Sequence, residues 1–477
     1  MTPAVAGSCR RARARVSRRL RRVWRNWSGE LSCAPAVVAR PRTRGEVAEA
    51  LGRAAEAGRP VRVAGAGHSF SDLVITDGTL IVLDHLDRLL DVDPAGARVR
   101  VEAGITLAEL SARLALHGLA LENLGDVNIQ TVAGAAATGT HGTGGRLGNL
   151  SSLIEEVELV LADGSELRCS ASEDPDAWRA ARVSLGALGV VVAMTLRCVP
   201  LFNLRGVDRP APLRETLDRL DELVAASDHF ELFTFPHTGV ALTRTNTRID
   251  AEPNPPGPAR RFLEDVALVN GALEVISRAG RRFPGAIPAL NRLTTRLAGE
   301  RVRIDRSDRI FASPRYVRFT EMEYAVPREH TARAVRRVLA AVEREGFAIN
   351  FPVEVRFVAA DDALLSPAAG RPTGYVAVHA FRGMEWRPFF EATEAIMDEL
   401  GGRPHWGKRH FQTAATVRGR YPGWDRFQAV RARLDPGGRF TTPPIERVLG
   451  PVGSQEGPPL PPVGRDGVHD PVALDQV

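Results

Sequence analysis

Three glycine-rich stretches and a few charged side chains stand out as candidates for ligand binding and catalysis. The first stretch, Ala64-Gly65-Ala66-Gly67-His68-Ser69-Phe70-Ser71-Asp72, follows a short apolar run. Glycines placed after a strand let backbone N–H groups approach phosphate oxygens closely. A dinucleotide fingerprint would need a third glycine and a helix; here the third glycine is missing and "DLVITDGTLIVLDHL" reads as turn and strand. Gly65, Ala66, Gly67, His68, Ser69 and Phe70 can therefore cradle a pyrophosphate, but not in a Rossmann fold. Taken alone, such a stretch is more often a tight turn with a solvated histidine. The second runs from Thr131 to Gly145 and holds Gly134, Thr138, Gly139, His141, Gly142 and Thr143. Its small residues would let a flat ligand lie against backbone, with threonine hydroxyls as donors. Its valine and four alanines make it too apolar for an ordinary flexible linker. In the third, Leu185-Gly186-Ala187-Leu188-Gly189-Val190, glycines interrupt a strand-like run, and a sheet bend explains them equally well.

The charged candidates lie further along. Glu354 and Arg356 alternate in "VEVRF" and so share one face of a strand, where a plain salt bridge is the commoner explanation. Glu321 and Glu323 do the same in "TEMEY". His379 in "YVAVHAF" is either a satisfied core histidine or a site residue. Lys408 in "HWGK", read alone, is a surface lysine.

The helices and strands that carry these residues can be read in outline. "EVAEALGRAAEAG" predicts a helix ending at Gly58. "VRVA", "TLIVLDHL" and "ARVRVEAG" predict strands. "TLAELSARLALHGL" predicts a helix with Thr106 as N-cap, Glu109 completing a capping box and Gly118 as stop. "LIEEVELVLADGSELRCS" predicts a hairpin turning at Asp163-Gly164. Beyond Pro200, helical stretches mix with strands "HFELFTFP", "VRFTEMEYAVP", "INFPVEVRFV" and "GYVAVHAF", the pattern of an α+β unit with a largely antiparallel sheet. Residues 251–300 read as mostly helical. The expected organisation is a basic leader at 1–25, a first domain at 26–200, a second at 201–400, a segment at 401–450 returning to the first, and a disordered tail at 451–477.

The length of 477 residues implies two or three domains, and 44% apolar with 25% charged residues is an ordinary soluble balance. The net charge of +6 is misleading. Nine arginines and no acidic residue lie in residues 1–25, so the body carries −3. That argues against nucleic acid as a partner. The leader is either a basic amphipathic helix making weak contact with an anionic membrane surface, or an unordered extension. Cys9, Cys33, Cys169 and Cys198 form neither a C-x-x-C pair nor a metal-ligand pattern, so no metal is expected and a reducing, cytoplasmic setting fits.

Taken together, the G-H-S-F, "TVAGAAATGTHGTGG" and "SLGALGVVV" segments resemble the FAD-binding domain of the vanillyl-alcohol-oxidase-type flavoproteins, with its PCMH-type fold. "WRNWSGE", "EMEYAVPRE", "FPVEVRF" and "RPHWGKRH" resemble the sugar-1,4-lactone oxidase branch, over roughly residues 25–448. The resemblance implies a two-domain α+β flavoprotein with an antiparallel-sheet cap domain. It implies FAD tethered covalently to His68, and a cofactor site at Gly65, Ala66, Gly67, Ser69, Phe70, Thr131, Gly134, Thr138, Gly139, His141, Gly142, Thr143, Gly189, Val190 and Lys408. It places Glu354, Arg356, His379 and Lys408 as catalytic groups over the flavin, with Glu321, Glu354, Arg356 and His379 contacting substrate. His405 and Trp406 would fix the Lys408 turn, and His141 would shape the loop. The implied reaction is hydride removal from a sugar lactone, or from a polyol as the alternative. Electrons would pass to O2 or to another acceptor, a quinone or cytochrome included if the enzyme is membrane-peripheral.

Overall fold

The computed structural model describes residues 23–255, 257, 270–313 and 315–453. Most of the Arg-rich leader and of the Pro/Gly-rich tail lies outside them. The described chain begins inside the expected leader, where Trp24–Arg25 pairs with Ser32–Cys33.

Besides two two-stranded pairings, the amino-terminal half holds a three-stranded and a five-stranded sheet. A small parallel sheet is formed by β1 (Val37–Ala39), β2 (Val61–Ala64) and β3 (Thr79–Val82), with β3 central. Helix α1 (Arg44–Glu56) joins β1 to β2. Thr43 caps it by accepting the Glu46 amide, and Gly58 follows at φ +61. The second sheet is antiparallel: β4 (Leu89–Asp93), β5 (Arg98–Glu102), β6 (Ile154–Val160), β7 (Glu166–Ser170) and β8 (Val190–Arg197) pair in the order β7-β6-β8-β5-β4. The β6–β7 hairpin turns at Asp163-Gly164 as the sequence predicts, with the Asp163 carboxylate accepting from Ser165.

Helix α2 (Leu107–Leu116) has its Thr106 cap, but the expected capping box is open. The Glu109 carboxylate turns forward to Arg113, at 2.7 Å, instead of back to the cap. The second glycine-rich stretch is not loop throughout: Val132–Ala137 forms a short helix, α3, capped by Thr131.

The carboxy-terminal half is built on one eight-stranded antiparallel sheet. Its strands are β9 (Asn203–Pro212), β10 (His229–Thr234), β11 (Val240–Ile249), β12 (Arg301–Arg306), β13 (Phe319–Pro327), β14 (Val353–Val358), β15 (Thr373–Phe381) and β16 (Arg403–Pro404). Their order is β12-β9-β11-β10-β14-β15-β13-β16. Period-two alternation divides the faces. Met322, Tyr324, Val326, Val353, Val355, Phe357, Val376 and Val378 pack under helices α4 (Thr331–Glu345) and α5 (Arg387–Glu399). The opposite face therefore carries Glu321, Glu323, Glu354, Arg356 and His379.

After β16 the chain crosses over. Trp406, Tyr421, Trp424, Phe427 and Val430 join the core built by the amino-terminal half. The Val61 amide donates to Arg439 O at 2.9 Å.

Candidate active site

Two clefts meet at the G-H-S turn. One is lined by Gly65, Ala66, Gly67, His68, Ser69, Thr131, Gly134, Thr138, Gly186 and Gly189. The other is lined by His68, Ser69, Phe70, Thr138, His141, Glu321, Glu323, Glu354, Arg356, His379 and Lys408. His68, Ser69, Gln130 and Thr138 belong to both walls. A long ligand held by backbone in the first cleft would thus reach the charged groups of the second past His68.

Small residues build the first cleft for a steric reason. A Cβ on Gly65 would sit 2.2 Å from the Thr131 hydroxyl, the group that caps α3, so only glycine lets β2 close on that helix. Gly67 turns the chain at φ +71. The "WRNWSGE" segment clamps the turn from outside. Trp27 N donates to Gly67 O at 2.8 Å, Asn26 Nδ2 donates to Ser69 O at 3.0 Å, and the Trp27 ring stacks on His68 at 5.1 Å. His68 Nε2 is buried and has no hydrogen-bond partner. Burial, with Lys408 and Arg318 nearby, pushes its pKa down to about 4, so the ring is neutral. A neutral, unpartnered imidazole nitrogen between the two clefts fits a covalent attachment point.

The charged cleft is a chain of alternating charges. Lys408 Nζ lies 2.5 Å from Glu321 Oε1 and 3.8 Å from Glu323 Oε2. His379 Nε2 faces Glu321 at 3.6 Å and Glu354 at 3.9 Å, while its Nδ1 lies 3.1 Å from Pro352 O and donates to it. Arg356 contacts Glu354 at 2.6 Å, Glu231 at 2.9 Å and Asp126 at 3.5 Å. Glu231 is also held by Arg244 at 3.0 Å and Asp126 by Arg315 at 2.5 Å.

This sharing decides the protonation states. Burial works against ionisation of Glu321, but Lys408 and His379 outweigh it and hold the carboxyl below its ordinary value. Glu323 is likewise held down against burial by His141 and Lys408. Burial would discharge Lys408 and His379, yet Glu321 and its neighbours raise both. Glu354 is the exception. Asp126 and Glu231 each contact a second arginine, whereas Glu354 shares Arg356 with them and has the edge of His379 beside it. Burial, aided by repulsion from Asp126 and Glu231, pushes it up to about 7.

The "HWGK" turn is anchored on three sides. Trp406 is fully buried and donates to Leu365 O at 2.7 Å. His405 N and Arg409 N donate to Glu323 O and Glu321 O, each at 2.9 Å, and Phe70 N donates to Gly407 O at 2.7 Å. His405 Nδ1 accepts from the Gly407 amide at 3.0 Å, and burial pushes that ring down to about 3. His405 thus shapes the turn. His141, Glu323 and His405 offer ligand atoms within 4.8 Å of one another, but the Lys408 ammonium beside Glu323 competes with any cation there.

Several expected cofactor residues stand elsewhere. Gly139, Gly142, Thr143 and Val190 line neither cleft. Gly139 lies against Pro367, Gly142 against Asn123 and Leu124, and Val190 is in the core. Thr143 Oγ1 accepts from Phe357 N at 3.2 Å and bonds Phe230 O, tying the glycine-rich loop to β14 and β10. Phe70, His141 and Lys408, expected at the cofactor, line the charged cleft only. His141 does shape its loop, with Nδ1 2.8 Å from Gly142 O, but its Nε2 also faces Glu323 at 3.1 Å.

Sequence reasoning missed Asp126, Glu231, Arg244 and Arg315. It also missed Arg62, a buried arginine in the first cleft that donates to Leu185 O at 2.6 Å and to Gly186 O at 2.9 Å. Arg62 holds the third glycine-rich turn, where Leu185 adopts φ +53. Its position as the second residue of a four-residue strand otherwise made of Val and Ala was the available signal.

Comparison with known proteins places this architecture. The family model described as D-arabinono-1,4-lactone oxidase matches residues 194–448, and one described as FAD binding domain matches 35–170. The chain is 51% identical over 430 residues to an L-gulono-1,4-lactone dehydrogenase of Mycobacterium tuberculosis, covering 90% of this chain and 99% of that one. It is 36% identical to an L-gulonolactone oxidase of Bos taurus, covering 89% and 98%, and 36% identical to an alditol oxidase of Streptomyces sp., covering 87% and 96%. Cholesterol oxidase from Brevibacterium sterolicum superimposes with a TM-score of 0.76 at 19% identity, over 90% of this chain and 96% of that one, a likeness of fold alone. The chain belongs to the D-arabinono-1,4-lactone oxidase family of FAD-linked oxidoreductases.

Proposed function

We propose that this protein oxidises a sugar-1,4-lactone of the L-gulono or D-arabinono type. FAD would be attached through His68, and electrons would pass to O2 or to another acceptor. The observation that carries the reading is the meeting of a glycine-lined cleft and a charged cleft at one neutral, unpartnered imidazole. The family and its FAD-binding domain support the cofactor, and the relatives' lactone names support the substrate class.

Gly65, Ala66, Gly67, Ser69, Thr131, Gly134, Thr138 and Gly189 would hold the cofactor in the first cleft. FAD, when bound, supplies the hydride acceptor. Each remaining task falls to the chain's own residues. Arg356 and His379 orient substrate hydroxyls. Lys408, cationic because Glu321 and Glu323 flank it, stabilises negative charge that develops on an oxygen beside it. Glu354 takes the hydroxyl proton. Among the carboxyls of this cleft it is the one pushed toward neutrality, so it can both accept and release a proton near neutral pH.

Anaerobic mixing with a panel of 1,4-lactones and alditols, while following flavin bleaching, tests the reading. Lactones should bleach the flavin faster than alditols. Preference for the open polyols would move the assignment to alditol oxidation, and admission of air afterwards reports the acceptor.

A further inference from the structure

Six of the eleven exposed large apolar side chains among the described residues lie between Val275 and Tyr316, so apolar exposure is concentrated in one stretch of the chain. Two helices, Ala272–Arg282 and Ile287–Leu297, carry three of the six, and Phe283 lies between them. Both turn large apolar side chains outward and bury small or polar ones, although Ile287 of the second is buried and Leu273 of the first faces inward. The second buries Asn291 and Thr295, the Asn291 amide donating to Pro236 O and Ile349 O at 3.1 Å each. It turns Leu293 and Leu297 outward at 50% and 77% exposure. The first buries Ser277 and Gly280 and exposes Val275 at 68%. Phe283, between the helices, is 60% exposed.

The charge of this face is mainly basic. Residues 272–297 hold five arginines and one acidic residue, Glu274, which pairs with Arg278 at 2.7 Å. Arg292 and Arg296 are exposed and flank Leu293 and Leu297 on the same side of the helix, and the Arg282 guanidinium sits over the Phe283 ring at 5.0 Å. An apolar strip interleaved with arginines is the composition of a helix that lies in a membrane interface, with leucines and an aromatic in the acyl boundary and guanidinium groups at the headgroups. A second copy of this chain suits the face poorly, because a two-fold contact would set the arginines against themselves.

We infer that residues 272–297 form a docking face for an anionic lipid bilayer surface. The assignment is independent of the substrate reading and of the leader. It has a geometric consequence: Leu273, on the first helix, lines the charged cleft, so docking would seat that cleft beside the membrane surface.

The test is co-sedimentation of the full-length holoprotein with phosphatidylcholine vesicles and with vesicles containing phosphatidylglycerol, at low and high salt. Residues 1–25 are kept in every arm, so that any contribution of the leader is constant. The wild type should partition onto the anionic vesicles and retain part of that binding at high salt. Phe283→Ser/Leu293→Ser/Leu297→Ser should lower the partition by about tenfold or more, with the rate of flavin reduction unchanged. In a second measurement, Leu293→Trp should show a blue-shifted emission on adding anionic vesicles and not neutral ones. Unchanged partition of the triple variant, an emission that does not move, or a wild-type dimer that the triple variant dissolves would each overturn the assignment.

Discussion

Lys408→Met is the most informative change in the cleft, because it separates what the cation does for folding from what it does for turnover. The methionine keeps the length of the stem and deletes the charge. Two buried carboxylates, Glu321 at 2.5 Å and Glu323 at 3.8 Å, then lose their shared counter-ion. A pair of charges about 4 Å apart near a protein surface attract by roughly 4 kcal/mol, and removing one partner of a buried pair typically costs about 3–5 kcal/mol of stability. The kinetic expectation is separate: losing a donor aimed at developing negative charge lowers the rate by about 10²–10³-fold.

The pH dependence supplies a sign. With Lys408 present, Glu321 is held below its ordinary value, so its stabilising contribution is in place above the unfolded glutamate pKa and disappears as pH falls. With Lys408 removed and His379 left as its counter-charge, the carboxyl should rise through burial, and the contribution should become one that is lost as pH rises. Urea unfolding of Lys408→Met in mildly acid and mildly alkaline buffer should therefore show lower stability at the higher pH. Adding Glu321→Gln should recover much of the stability by removing a stranded charge, while anaerobic stopped-flow reduction stays slow. A folded Lys408→Met that reduces its flavin within about threefold of wild type would refute the catalytic role, whatever its stability.

Three further outcomes follow from the same geometry. His68→Ala should abolish the yellow colour that stays with the acid-denatured chain, whose persistence would place the attachment on another residue. Arg356→Lys should cut kcat/KM by about tenfold or more, because an ammonium cannot reproduce a fork that engages Glu231 and Glu354 together; normal kinetics would make the pair structural. Flavin reduction should rise with pH through about 7 as Glu354 ionises, and Glu354→Gln should be slow with that rise removed. Because its folded value lies above the ordinary glutamate value of 4.5, Glu354 should stabilise the fold at low pH and cease to do so as pH climbs through about 7. A pH profile retained in the Glu354→Gln variant would assign the proton to another group.

Local chemistry in this chain is legible residue by residue. Thr43, Thr106 and Thr131 each cap a helix by accepting the amide three residues on, and Asp163-Gly164 turns its hairpin. The alternation in "TEMEY" and "VEVRF" places Glu321, Glu323, Glu354 and Arg356 on one face, because the intervening Met322, Tyr324 and Val355 have an apolar core to fill. Strand β9, "NLRGVDRPAP", and strand β11, "VALTRTNTRI", carry no such signal. The former has two arginines and two prolines, the latter two arginines and three threonines, and it is pairing with each other along ten residues, and with β12 and β10 on their outer sides, that makes them strands. That tertiary pairing overrides weak local preference.

The groups that went unread in the site are unread for the same reason. Glu231 reaches Arg356 across 125 residues of sequence, and Arg315 reaches Asp126 across 189. Neither contact leaves a local pattern. Their effect is nonetheless what distinguishes the carboxyls. A cleft with Glu354 and Arg356 alone would be a tight ion pair with an acid fixed in its ionised form. Asp126 and Glu231 draw on the same guanidinium, and each also contacts a second arginine. Glu354 is thereby left under-compensated and able to titrate near neutrality. Replacing Glu231 by Gln should reverse this: Arg356 would turn its charge more fully onto Glu354, whose pKa should fall, and the pH rise in flavin reduction should move to lower pH with turnover retained. A profile that stays in place would show that Glu231 only packs against Arg356 and does not tune its neighbour.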